Sequence, residues 1–334
     1  MAEFEADTGV MPDRNLALEL ARVTEAAALA AARWMGMGDR DSAHAAAIDA
    51  IRHMIGSVDM DGVIVIGEGD KADTPMLYNG EQIGNGEPPE VDIAVDPIDG
   101  TTLLALGRNN AISVVALAPR GAMFDPGPCV YMEKMAVGRD ARDAIDLDAP
   151  IEDNLKKVAA AKSLNVEDLV VVILDRDRHS QIIRDVRETG ARIRLIPDGD
   201  ISGAIMTCVD DVPGDILIGV GGTSEGVTSA CALKAFGGQL LGRLWPRNEA
   251  EREEIADQGY DVERVLTIDD LVSDDNCFFS ATGITNGDLL RGAGFRAAGA
   301  HTHSLVMRSV SGTVRWIEAH HDRDKLRDIT NVTY

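Results

Sequence analysis

The chain lacks the features that mark several large classes of protein. Cysteine is sparse: Cys129, Cys208, Cys231 and Cys277 are widely spaced and form no Cys-x-x-Cys pair. That argues against a disulfide framework or a thiolate zinc site and suits a reducing cytoplasm. Positive charge is scarce as well, with 32 Lys and Arg against 56 Asp and Glu and a formal net charge of −24. Nucleic acids and anionic membranes need basic surfaces, so neither is expected as a partner. No apolar run reaches the roughly 18–20 residues that span a bilayer. The opening Met1-Ala2-Glu3-Phe4-Glu5 has neither the basic nor the apolar region of a signal peptide, so a cytoplasmic location is expected. Internal repeats and low-complexity linkers are also absent.

What is present is an ordinary globular composition, 45% hydrophobic and 26% charged, over 334 residues. That length can bury a sizeable core in two subdomains, expected at residues 1–160 and 161–334. Residues 1–12 read as a loose leader. Leu16, Leu20, Val23 and Ala27 share one face of a helix predicted over 13–34. After Gly36-Met37-Gly38 a second helix is predicted over 42–55, with Ser42 as its cap. Strands are predicted over 62–66, 91–95 and 111–118, with a Gly- and Pro-rich loop at 79–90. From residue 169 the pattern changes to short strands (169–174, 191–196, 215–220) alternating with helices (179–189, 201–208, 225–236). Such alternation predicts a parallel α/β layer.

Polar loops end the predicted strands, and each carries residues suited to phosphate chemistry. In Asp96-Pro97-Ile98-Asp99-Gly100-Thr101, two carboxylates flank a proline behind a strand. Oxygen ligands of this kind suit Mg²⁺ or Mn²⁺, and the Gly-Thr step can bring a phosphate to the same ion. The alternative is a capped turn before a helix starting near Thr102. Gly67-Glu68-Gly69 frees Glu68 to point into a cleft, or is a solvated turn. Gly221-Gly222-Thr223-Ser224-Glu225-Gly226 opens a helix, where free N–H groups attract phosphate and Glu225 can bind metal. A Rossmann dinucleotide reading is a poor alternative here, because Ser224 occupies the third glycine position and no ribose-binding acid follows. Arg176, Asp177, Arg178 and His179 follow a strand, where the arginines can clamp a phosphate or the segment is a solvated helix start with self-paired charges. In Pro197-Asp198-Gly199-Asp200 the carboxylates can take sugar hydroxyls, or Asp200 simply caps the next helix. The ligand side of an open α/β sheet is where such strand-end loops gather. His301-Thr302-His303 and His320-His321 lack acidic or cysteine companions and read as structural.

Together with Val65-Ile66-Gly67-Glu68-Gly69, Pro75-Met76-Leu77-Tyr78-Asn79-Gly80-Glu81, Tyr131-Met132-Glu133-Lys134 and Ala281-Thr282-Gly283, these segments resemble class II fructose-1,6-bisphosphatases, the GlpX family, along nearly the whole chain. The resemblance implies a layered α/β/α/β/α fold of the lithium-sensitive sugar phosphatase type. It implies hydrolysis of the 1-phosphate of fructose 1,6-bisphosphate in gluconeogenesis, using two Mg²⁺ or Mn²⁺ ions. The expected partners are a small sugar bisphosphate and further copies of the chain.

By the same resemblance, Glu68 binds the first metal, and Asp96, Asp99 and Glu225 the second. Gly100 and Thr101 touch the scissile phosphate, Thr101 and Glu68 act in catalysis, and Tyr131, Arg176, Asp177, Arg178, Asp198, Gly199, Asp200 and Gly222 hold the rest of the substrate. The chain departs from the family pattern on the first-metal side. His44 and Ala45 stand where the family has Asp and Gly, Ala72 where it usually has Asp, Arg40 for Lys, and Asp177 and Ser224 for Pro. His44 is therefore either a candidate ligand, softer than carboxylate and shifting preference toward Mn²⁺ or another transition metal, or a first-turn helical histidine with no ligand role. An altered substrate, such as sedoheptulose 1,7-bisphosphate, and a catalytically inactive sugar-phosphate binder are the alternative readings.

Overall fold

A computed structural model describes residues 15–69, 76–297, 299–322 and 325. The leader at 1–12 and the departure at Ala72 lie outside the described residues. Two mixed sheets alternate with layers of helices, giving the expected α/β/α/β/α order. The first sheet runs β13 (Thr313–His321), β12 (Gly299–Arg308), β10 (Phe278–Gly283), β4 (Ile112–Pro119), β3 (Glu90–Asp99), β1 (Asp61–Ile66) and β2 (Gln82–Gly84), with β11 (Gly294–Arg296) also on β12. The second runs β7 (Arg192–Ile196), β6 (Val170–Leu174), β8 (Ile216–Gly222), β5 (Tyr131–Val137) and β9 (Gln239–Leu244).

Helices α1 (Leu16–Ala32) and α2 (Arg40–Ile55) cover the outer face of the first sheet, burying Leu20, Leu29 and Ile51 against Ile64, Ile93 and Val115. The alanine-rich α1 lies close on the sheet, where the Thr24 hydroxyl sits 2.9 Å from Ser280 Oγ and 2.8 Å from Thr282 Oγ1. Short α3 (Thr101–Ala105) follows β3. Helices α4 (Ile151–Lys162) and α5 (Ser180–Glu188) cover the outer face of the second sheet, where Leu155 and Val158 of α4 share a core with Ile173 and Ile218 of the sheet. Between the sheets lie α6 (Asp200–Met206) and α7 (Thr223–Phe236), whose Ile201, Ile205, Val227 and Ala230 fill the central core. Two further helices, α8 (Glu249–Asp257) and α9 (Ile268–Leu271), follow β9.

Two expectations are corrected. The cap of α2 is Asp39, whose carboxylate accepts from Ser42 N at 2.9 Å; Ser42 is the donor, not the cap. The second sheet is parallel only among β6, β7 and β8, while β5 and β9 pair antiparallel. The chain divides between the sheets discontinuously, since β5 joins the second sheet and β10 to β13 return to the first.

Candidate active site

The strand-end loops of both sheets open into one cavity of about 870 Å³. It is lined by His44, Glu68, Asp96, Asp99, Gly100, Thr101, Tyr131, Arg176, Arg178, Asp198, Asp200, Gly222 and Glu225. Asp177 and Gly199 are the predicted site residues that do not line it. Asp177 is exposed in the 3₁₀ turn before α5, and Gly199 takes a left-handed φ of 84° to turn the chain into α6.

Glu68 is set by the turn after β1. Gly67 N donates to Asn79 Oδ1 at 2.8 Å and Glu68 N to Leu77 O at 2.8 Å. A Cβ at Gly67 would overlap the Leu77 carbonyl, so the turn needs glycine there. Facing it from α2, His44 places Nε2 2.9 Å from Glu68 Oε2. That contact raises the His44 pKa above its usual value against an opposing desolvation effect.

The Asp96–Thr101 turn is not a loop after a strand, because β3 runs through it to Asp99. In a regular strand, residues three apart face opposite ways. Here the pairing with β4 shifts register between Asp96 and Asp99, and this irregularity lets both line the same cavity. Asp96 Oδ1 accepts from Ile98 N at 3.0 Å, and Asp99 Oδ2 from Ser202 N at 3.3 Å. Gly100, at φ 97°, swings the chain into α3, so that Thr101 is its first residue.

From the second sheet, Glu225 stands in the first turn of α7 beside its N-cap, Gly222. Arg176 Nη1 donates to Pro197 O at 2.6 Å, which ties the β6 loop to the loop carrying Asp198 and Asp200. Arg178 donates to Val220 O through Nε at 3.1 Å and Nη2 at 2.7 Å, with its guanidinium 5.1 Å from the Tyr131 ring centroid. Two residues that the sequence analysis names without assigning them a role support this half. Lys134 is buried on β5 with Nζ 2.6 Å from Asp200 Oδ2. His179 is buried under the arginine loop, where Nε2 accepts from Val220 N at 2.8 Å and Nδ1 lies 2.6 Å from Leu174 O. Since Nε2 accepts, Nδ1 carries the proton and the ring is neutral.

Burial holds the His179 pKa below its usual value. A histidine depressed in the folded state stabilises above the unfolded pKa of about 6.5, and that contribution is lost as pH falls through the folded value. Wild-type protein should therefore lose more melting temperature between pH 7.5 and 5 than His179→Gln. Equal losses would show that the imidazole staple does not titrate with unfolding.

The electrostatics are those of a cation site. Burial pushes Asp96 well above the usual carboxylate range, reinforced by Glu68 and Glu225; burial does the same for Asp99, reinforced by Asp96 and Asp200. Glu225 is also raised, first by burial and then by Asp200, with Lys134 opposing. Among the described residues, no group of three His, Cys, Asp or Glu side chains closes around a common point as it stands. The fit to metal rests on donor chemistry: crowded carboxylate oxygens without enough cationic partners, which suit a hard divalent ion. His44 adds one nitrogen beside Glu68.

Comparison with known proteins gives one consistent result. The model of the family "Bacterial fructose-1,6-bisphosphatase, glpX-encoded" matches residues 14–321. The chain is 44% identical over 333 residues to the class 2 fructose-1,6-bisphosphatase of Haemophilus influenzae, covering 96% of this chain and all of that protein. It is 43% identical over 325 residues to the fructose-1,6-bisphosphatase 1 class 2 of Escherichia coli K12, covering 93% of this chain and 96% of that one.

Proposed function

Because the chain belongs to the family of glpX-encoded bacterial fructose-1,6-bisphosphatases, we propose that it hydrolyses the 1-phosphate of fructose 1,6-bisphosphate, releasing fructose 6-phosphate and phosphate. The observation that carries this reading is the meeting of Glu68, Asp96, Asp99 and Glu225 with Arg176 and Arg178 in one cavity. The family is metal-dependent, and in this chain Glu68 with His44, and Asp96, Asp99 and Glu225, would hold Mg²⁺ or Mn²⁺. When bound, these ions would neutralise the phosphate oxygens and acidify a water molecule.

The chain's own groups do the rest. Gly100 and Thr101 receive the scissile phosphate where the left-handed turn into α3 lines the cavity. The Thr101 hydroxyl orients the attacking water. A new water–phosphorus bond forms as the bond to the sugar oxygen breaks, and that oxygen leaves with a proton. Arg176 and Arg178 pair with the remaining phosphate, Tyr131 packs beside them, and Asp198 and Asp200 accept from sugar hydroxyls. We place this reaction in the cytoplasm, consistent with four free cysteines and, among the described residues, no helix long and apolar enough to cross a membrane.

The reading is tested by phosphate release from fructose 1,6-bisphosphate with Mn²⁺ and, separately, with Mg²⁺. Release that requires a divalent cation and exceeds release from sedoheptulose 1,7-bisphosphate is the expected result. No release with either ion overturns it.

A further inference from the structure

Lys134 is 2% exposed and among the largest fully buried side chains of the protein. Its strand neighbours are glycines on both sides, Gly219 on β8 and Gly242 on β9. The stem lies against the next glycine along β8, since a Cβ at Gly221 would come within 2.9 Å of Lys134 Cε and 3.0 Å of Nζ. The ammonium thus lies inside the apolar layer between the sheets, behind the part of the cavity wall formed by Asp200 and Gly222. There Nζ donates to Gly222 O at 2.9 Å and stands 2.6 Å from Asp200 Oδ2, an oxygen with no other partner among the described residues. Gly222 is the N-cap of α7, three residues before Glu225. One side chain therefore touches both the proposed sugar-binding carboxylate and the peptide that opens the helix of a proposed metal ligand.

Resting on the bisphosphatase reading, we propose that Lys134 is a positioning residue with two separable effects: it fixes Asp200 and the Gly222 peptide for the sugar bisphosphate, and it sets the negative charge that a divalent cation meets at the cavity wall. A buried ammonium needs paired acceptors, and both of those found here belong to the site rather than to the surrounding core. Its field also acts on Glu225, whose carboxylate it holds lower than burial and Asp200 alone would.

The effects have opposite signs, which separates them from a loss of structure. Lys134→Met removes the charge and keeps much of the volume. Mn²⁺ titrated calorimetrically into the full chain should bind several-fold more tightly, because an opposing positive charge is gone. The KM for fructose 1,6-bisphosphate should rise by about 10-fold or more, with a smaller fall in kcat, because Asp200 is released and the wall repels the phosphates. In Lys134→Met/Asp200→Asn the charge balance is restored, so Mn²⁺ affinity should return to within about threefold of wild type while KM stays high. If the single variant does not fold, the double variant carries the test on its own. Weaker Mn²⁺ binding in step with a lower melting temperature, not restored in the double variant, would overturn the proposal, as would unchanged Mn²⁺ affinity and KM. Wild-type protein that releases no phosphate would defeat the bisphosphatase reading alone, because the Mn²⁺ titrations still report on Lys134.

Discussion

Asp96→Asn is expected to lower kcat for fructose 1,6-bisphosphate by about 100- to 1000-fold while leaving the metal-free fold at least as stable as wild type. The activity loss follows from charge. Asparagine keeps the oxygen that accepts from Ile98 N, so the turn survives, but the anionic donor at the centre of the carboxylate group is gone. Stability should move the other way. In wild type, Asp96 is strained by burial and by the neighbouring Glu68 and Glu225 carboxylates, none of which it needs for folding. Removing the charge relieves that repulsion, so the melting temperature in chelator should stay level or rise by about 1–3 °C. In excess Mn²⁺ the order should reverse, because wild type gains more from a ligand that binds only the folded state. Melting curves with and without Mn²⁺, beside initial rates, check both halves. An Asp96→Asn enzyme with undiminished kcat would remove Asp96 from the metal site.

That pairing of functional gain with local strain also explains what could be read from the sequence. Glycine, aspartate and proline at the ends of apolar runs mark loops, and loops at strand ends mark the ligand side of an α/β sheet. The rule located Glu68, Asp96, Asp99, Asp198, Asp200 and Glu225, all of which line the cavity. It failed where the signal is not local. The register shift between Asp96 and Asp99 depends on pairing with β4, which no spacing within 96–101 reveals. Lys134 resembles a surface residue until β8, α6 and α7 close around it, and His179 is defined by backbone partners 5 and 41 residues away. Asp177, by contrast, sits between two cavity arginines in the sequence yet points away, because the 3₁₀ turn there sends successive side chains in different directions. The antiparallel placement of β5 and β9 was hidden for the same reason: the alternating strand–helix pattern of the second half describes only the β6–β8 part of that sheet.

Gly222→Ala tests the position of a carboxylate without altering any charge. The backbone at Gly222 is φ −68°, ψ 144°, which alanine adopts freely, although alanine is a poorer N-cap than glycine, at a cost of about 0.5–1 kcal/mol. The new Cβ, however, would overlap the Glu225 carboxylate. A side-chain end can swing aside where a backbone atom cannot, so the helix should survive and Glu225 should turn out of its present place. The expected result is a fall in kcat of about 10- to 100-fold with a melting temperature within about 2 °C of wild type. Gly221→Ala should behave differently. Its Cβ would overlap the Asp200 carboxylate and crowd Lys134, both buried and bound to each other, so relief there must break a buried ion pair at a cost of about 3–5 kcal/mol. Adjacent glycines, given the same added methyl group, should thus separate loss of catalysis from loss of fold. Unchanged kcat in Gly222→Ala would mean that Glu225 is not needed where the structure places it.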